Sequence, residues 1–199
     1  MSLPDAYAPS ARRPIANVFR RTAHACVRLC VRARIHPNTI SLSSIVAAAG
    51  AGLCFVQGWI VPAVLLCFLR LWLNMLDGMV ALASGQASRW GEILNDLPDR
   101  VSDVLIFVGV AHSGLAPPLL GYWAAIASLL VAYVGTFGQA VGAQREFSGW
   151  MAKPWRMVAL AAGALAGRID VALVVILAGC VQTVTVRLLR IARALKETP

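Results

Sequence analysis

The sequence predicts an all-α integral membrane protein with six transmembrane helices behind an N-terminal interfacial amphipathic helix. Three observations carry that expectation. Of 199 residues, 59% are hydrophobic and only 14% charged, and the mean hydropathy of +0.71 exceeds what a soluble domain sustains. Apolar runs of about 20 residues, enough to cross a hydrocarbon core of roughly 30 Å, can be placed six times. The basic residues, finally, cluster on alternate connections between those runs.

Taken in chain order, residues 1–9 carry no pattern, and 12–34 interleave arginines with Ile15, Val18, Phe19, Val27, Leu29 and Val31. That alternation suits a helix lying on an anionic membrane surface. An organelle transit peptide shares the composition, but a chain with no separate soluble domain to import favours the anchor. "HPNTISLSS" (36–44) is a helix start: Pro37 cannot continue a helix, and Asn38, Thr39 or Ser41 can cap the amides that follow. The spans are expected at 39–58, 59–82, 92–112, 117–141, 154–168 and 169–188, the fifth being short and rich in small residues. Small residues in "SIVAAAGAG" and "GALAG" permit close helix contact, internal or between subunits. Residues 1–36 then form a cytoplasmic tail and interfacial helix, 37–190 the membrane domain, and 191–199 a basic cytoplasmic tail.

The net charge of +9 is mainly a topology signal. "QGW" and "HSGLAPP" carry no formal charge, whereas the N-terminal stretch, the 144–157 connection and the C-terminus are basic. The positive-inside rule therefore places both termini in the cytoplasm, as for a bacterial inner-membrane protein. No nucleic-acid recognition motif accompanies the charge, so a nucleic-acid partner is not expected. Cys26, Cys30, Cys54, Cys67 and Cys180 lack the paired spacing of a zinc site and read as reduced core residues, with acylation the alternative for Cys26 and Cys30. His24, His36 and His112 read as surface or capping residues, and Trp59 and Trp123 as interface anchors.

One stretch contradicts its apolar setting. "RLWLNMLDGMVALASGQASRWGEILNDLPDRVSD" (70–103) holds five of the nine acidic side chains. An ionisable group costs at least ~2.5–3.5 kcal/mol at a bilayer centre, so groups on adjacent spans must share a polar cavity. Arg70, Asn74 and Asp77 fall at i, i+4, i+7 on one helix, and Gly78 and Ala81 leave room for a ligand. On the next helix Asn95, Asp99 and Asp103 form one stripe, and Glu92, Asp96, Asp99 and Asp103 another. Pro98 removes a backbone hydrogen bond there. Clustered carboxylate and amide oxygens suit Mg²⁺ or Mn²⁺, and the absence of histidine argues against zinc. The alternative is a buried ion-pair network, Arg70 or Arg100 with the acids, that only pins the hairpin. Arg145, Lys153 and Arg156 in the following basic connection suit an acceptor phosphate or, equally, serve topology and lipid headgroups.

In this spacing the chain resembles the CDP-alcohol phosphotransferase family, whose signature D-x2-D-G-x2-A-R-x8-G-x3-D-x3-D crosses the second and third of six membrane helices. Here it reads Asn74, Asp77, Gly78, Ala81, Leu82, Gly91, Asn95 and Asp99, with every spacing kept. Six spans, an interfacial helix and "PNTIS" extend the resemblance over nearly the whole chain. Three positions depart: two aspartates are Asn74 and Asn95, and the arginine is Leu82.

The resemblance implies a metal-dependent transferase of phospholipid synthesis, moving a phosphatidyl group from CDP-diacylglycerol to a small alcohol with release of CMP. It implies that the aspartate positions hold two divalent ions on the pyrophosphate and that Asp99 deprotonates the acceptor. Gly78, Ala81 and Gly91 would line the pyrophosphate. Asp96 and Asp103 are candidates to restore the lost charge, and Arg89 or Arg100 to replace the missing arginine. The family also contains aminoalcohol transferases that use diacylglycerol, and its members often form homodimers. The three departures raise a silent lipid- or nucleotide-binding relative, and the intramembrane acids a cation transporter, as further alternatives.

Overall fold

The computed structural model describes residues 24–86, 89–143 and 146–197, which are helical apart from short connections and contain no strand. A helical segment, α1 (24–32), is followed by α2 (Pro37–Val56), α3 (Ile60–Ala83), α4 (Arg89–Ala111), α5 (Pro118–Ala140), α6 (Lys153–Leu165) and α7 (Ile169–Glu197). Most of the interfacial helix expected at 12–34 lies outside the described residues. What is described of it lays Val27 and Cys30 on Ile40, Leu76 and Val80, where α2 begins and α3 ends.

Among the described residues four helices, α2, α3, α5 and α7, are long and apolar enough to cross a membrane. Against six expected spans, α6 has 13 residues, about 20 Å at 1.5 Å per residue, well short of a hydrocarbon core. α4 has the length but carries four acidic residues, from Glu92 to Asp103. The last helix runs on to Glu197, through the expected boundary at 190, because nothing after the sixth apolar run breaks it and "RLLRIARALKE" is rich in helix formers.

The start of α2 differs in detail from expectation. Pro37 is the first helical residue, where its missing N–H costs nothing, and His36 is the cap, its Nδ1 accepting from the Asn38 amide at 3.2 Å. Ser41 is thereby released from capping.

α2 packs against α3 and α4, α4 against α5, α5 against α7, α7 against α6, and α6 returns to α3, so the chain closes on itself. Phe55, Cys67, Ile106, Phe107, Met157, Leu173 and Ile176 fill the resulting core. None of the five cysteines is paired in a disulfide. The small residues of α2 make an internal contact: Gly52 lies directly on Gly109 of α4, and a Cβ on Gly109 would stand 2.5 Å from the Gly52 carbonyl oxygen. Gly163 in "GALAG" likewise backs onto Ala172 of α7. Backbone approach of this kind takes the place of hydrophobic drive between helices in lipid. Gly109→Ala is therefore expected to cost about 1–3 kcal/mol by overpacking, seen as a lower thermal midpoint in detergent; an unchanged midpoint would show that the α2/α4 crossing relaxes freely.

Candidate active site

The α3/α4 hairpin brings the expected polar residues together, and α2 and α6 close over them. Asp77 is 1% exposed and is held from three helices. Its Oδ1 accepts from the Gly78 amide at 2.6 Å and from Asn95 Nδ2 on α4 at 2.5 Å, and its Oδ2 accepts from Ser41 Oγ on α2 at 2.6 Å. An aspartate at 95 would set like charges against each other at this distance; the neutral amide donates a hydrogen bond instead. Asn95 therefore has a structural reason of its own.

Asp99, one turn below Asn95, is differently placed. Its Oδ2 pairs with the Lys153 ammonium, which also donates to Asn74 Oδ1 and so ties α6 to both arms of the hairpin. Its Oδ1 is buried, lies 3.5 Å from Arg70 Nη2, and receives no hydrogen bond. Asn74 Nδ2 is also buried without a hydrogen-bond partner. Groups left in this condition cost free energy, and Arg70 Nε and Nη1 and Arg156 Nε share it, so the cluster as a whole carries unmet polar capacity, of which Asp99 Oδ1 is the anionic part.

Deepest in the cluster, Asp103 accepts from Arg70 Nη2 at 2.8 Å and from Arg156 Nη2 at 2.7 Å. Arg70 and Arg156 are essentially fully buried. Arg70 also donates to the Asp99 carbonyl at 2.8 Å, and Arg156 to the Met151 carbonyl at 3.0 Å. This layer is the ion-pair network that the sequence offered as an alternative. It lies beneath the Asp77 and Asp99 layer, so both readings describe part of one cluster.

The other expected site residues divide. Asp96 pairs with Arg100 one turn on, at 2.8 Å, partly exposed. Gly78 has open space on its Cα: an added Cβ would meet only Asn95 Nδ2, at 3.9 Å. Ala81 and Gly91 are half-buried, and Leu82 is exposed on α3. The side chains of Arg89 and Glu92, and the whole of Arg145, lie outside the described residues. Of the three cations expected near an acceptor, Arg156 is committed to Asp103, and Lys153 enters the cluster itself.

Among the described residues no three carboxylate, imidazole or thiol groups gather as a metal cage. The oxygens of Asp77 and Asp99 with the amide carbonyls of Asn74 and Asn95 are nevertheless hard donors of the type Mg²⁺ and Mn²⁺ take. The unsatisfied Asp99 Oδ1 fits such a ligand set.

The profile of the CDP-alcohol phosphatidyltransferases matches residues 34–185, which take in α2 to α6 and most of α7. The chain belongs to this family. A phosphatidylinositol phosphate synthase of Corynebacterium glutamicum is 29% identical over 175 residues, covering 81% of this chain and 80% of that protein. One of Cutibacterium acnes is 35% identical over 98 residues, 49% of this chain and 47% of the relative. The crystal structure of Mycobacterium tuberculosis phosphatidylinositol phosphate synthase with CDP-DAG bound shares the fold, with a TM-score of 0.76 at 20% identity over 86% of this chain and 94% of that one. The same enzyme in complex with manganese and citrate gives a TM-score of 0.75, covering 85% and 88%.

Within the family's signature, then, Asn74, Asp77, Asn95 and Asp99 face one another across the hairpin, while the arginine position is an exposed leucine. Ser41 escapes the sequence reading, and Lys153 enters it as an acceptor-phosphate or topology charge, not as a partner of Asp99 and Asn74. Ser41 looked like a helix cap, and nothing local to "NTISLSS" says that its hydroxyl reaches a residue 36 positions away. Lys153 looked like a cation of the connecting loop, whereas α6 begins on it and carries it to Asn74, 79 positions away.

Proposed function

We propose that the protein transfers the phosphatidyl group of CDP-diacylglycerol to a small, phosphorylated alcohol, releasing CMP. The observation that carries this reading is the Asp77/Asp99 pair, set at the family's spacing and buried, with one carboxylate fully hydrogen-bonded and the other left with an unsatisfied oxygen. The six helices α2 to α7 all cross the membrane in this reading, α4 and α6 sheltered by their longer neighbours, with both termini and the cluster on the cytoplasmic side. Two copies pair as a homodimer.

Asp77, Asp99, Asn74 and Asn95 would hold the divalent cation, Mg²⁺ or Mn²⁺, which when bound neutralises the pyrophosphate of the donor. Asp103 holds Arg70 and Arg156 in place, and Asp96 stays with Arg100. Gly78, with its open Cα, lets the pyrophosphate approach the α3 backbone, and Ala81 and Gly91 flank it, with Arg89 the sequence's candidate to replace the missing arginine. Asp99 takes the proton of the acceptor hydroxyl, the freed oxygen bonds to the β-phosphorus, and the bond to the bridging oxygen breaks, so that CMP leaves with that oxygen. The relatives named as phosphatidylinositol phosphate synthases make an inositol phosphate the first acceptor to test, and the basic connection of Arg145, Lys153 and Arg156 in the sequence supports a phosphorylated one.

The test is CMP release by purified protein in detergent with CDP-diacylglycerol, Mg²⁺ or Mn²⁺, and a panel of inositol phosphate, glycerol 3-phosphate, serine and glycerol. Acceptor-dependent release is expected with a phosphorylated acceptor. The amides at 74 and 95 favour a second reading, a relative that binds the donor without turning it over; saturable donor binding with no release from any acceptor would establish that instead. A soluble CDP-aminoalcohol offered with diacylglycerol serves as the control for the aminoalcohol transferase chemistry.

A further inference from the structure

We infer that the Lys153 ammonium serves as a built-in second cation of the pyrophosphate site, so that each chain takes one divalent ion where the full aspartate signature would take two. The inference rests on the functional reading above for its substrate, but its test does not.

Position comes first. Lys153 opens α6, and its Nζ stands between Asn74 Oδ1 on α3 and Asp99 Oδ2 on α4. It thus bridges oxygens of the first and last signature positions, one from each arm of the hairpin, as a metal ion ligated by both would. The side chain is 16% exposed, too enclosed to be a solvated topology charge.

Charge comes second. The cluster holds three carboxylates, Asp77, Asp99 and Asp103, and three cations, Arg70, Lys153 and Arg156. It is neutral as it stands. One divalent ion makes it doubly positive, matching the two negative charges of a pyrophosphate diester. Two divalent ions would leave four positive charges buried against those two, with amides where the signature has two of its carboxylates, an arrangement that desolvation opposes. The two amides and the lysine are thus a matched set of changes.

The third observation locates the remaining ion. Every hydrogen bond to Asp77 comes from a neutral donor, Ser41, the Gly78 amide or Asn95, whereas Asp99 and Asp103 are each in contact with cations. Asp77 is the one of the three carboxylates with no cation in direct contact, and on its neighbour Asp99 the Oδ1 oxygen receives no hydrogen bond. The divalent ion then belongs on the Asp77 side, and of the four candidate ligands Asn74 gives its Oδ1 to the ammonium instead of the ion.

The experiment is equilibrium Mn²⁺ binding to the full chain in detergent without substrate, counting free ion by electron paramagnetic resonance. One ion per chain is expected for the unaltered protein, and two for the double variant Asn74→Asp with Lys153→Met. Two ions, or none, in the unaltered protein would overturn the inference without recourse to any variant. So would a double variant that keeps its helical circular dichroism and still binds one. A third outcome separates the acceptor role: if Lys153→Met raises the KM of the acceptor at least tenfold while binding stays at one ion with unchanged affinity, the lysine serves the acceptor, and the inference fails. Absence of turnover with every acceptor would remove the proposed transferase reaction but leave the ion count readable.

Discussion

Asp99→Asn is expected to lower the kcat of acceptor-dependent CMP release by about 10²–10⁴-fold, the range that a positioned general base supplies. The substitution is nearly isosteric. The amide keeps an oxygen for the Lys153 ammonium or the Arg70 guanidinium, so the contacts that order the cluster survive in part. What it removes is the basicity and one anionic oxygen, so the assay is run at saturating Mn²⁺ to separate the loss of the base from a weakened hold on the ion. The loss should therefore appear in kcat more than in the binding of CDP-diacylglycerol, with the helical circular dichroism intact. A kcat within threefold of the unaltered protein would reassign the proton acceptor, and Asp77 would be next in line as the other buried carboxylate of the upper layer. Asp96→Ala, by contrast, alters a half-exposed pair with Arg100 and serves as the control.

The largest effect on stability is expected at Asp103. Each of its oxygens meets a buried guanidinium, Arg70 on α3 and Arg156 on α6, and it therefore ties three helices at one point. Asp103→Asn leaves two buried cations without their shared counter-charge, a loss of about 3–5 kcal/mol by the measure of broken buried pairs. For a chain of this length that corresponds to a thermal midpoint lower by roughly 6–20 °C. The companion experiment separates charge from shape. Replacing the three together by apolar residues, Arg70→Met, Asp103→Leu and Arg156→Leu, removes the charges along with the need to satisfy them and should recover much of the lost midpoint, as apolar replacements of buried ionic clusters do. It should not recover activity, because Arg70 also holds the Asp99 carbonyl at 2.8 Å. A single Asp103→Asn variant as stable as the parent would mean that water reaches the two guanidiniums.

Membrane class, helix order and the two polar stripes were legible because each depends on residues close together in the chain. Composition decides the solvent. A 3.6-residue period places Asn74 over Asp77 and Asn95 over Asp99 whatever the rest of the molecule does. The family's spacing lies within residues 74–99, so it too could be read along the chain. Helix ends are legible only to within a residue or two: "HPNTISLSS" marks the start and His36 reads as a surface or capping residue, but the pattern offers Asn38, Thr39 or Ser41 as the cap where the structure uses His36, with Pro37 as the first helical residue.

The assignments of partners were not legible, because each depends on which helix faces which. Asp103 could have joined a metal, but α6 packs against α3 and delivers Arg156 to it from 53 positions away. Ser41 could have been a cap, but the contact of Gly52 with Gly109 draws α2 close to α4 while α2 also lies along α3, and its hydroxyl lands on Asp77. Lys153 could have marked topology, but it is the residue on which α6 begins beside the hairpin. Periodicity orders side chains around one axis and is silent on the rotation of one axis against another. That rotation follows from close contact of small residues and from pairing every buried charge, and both are properties of the assembled bundle.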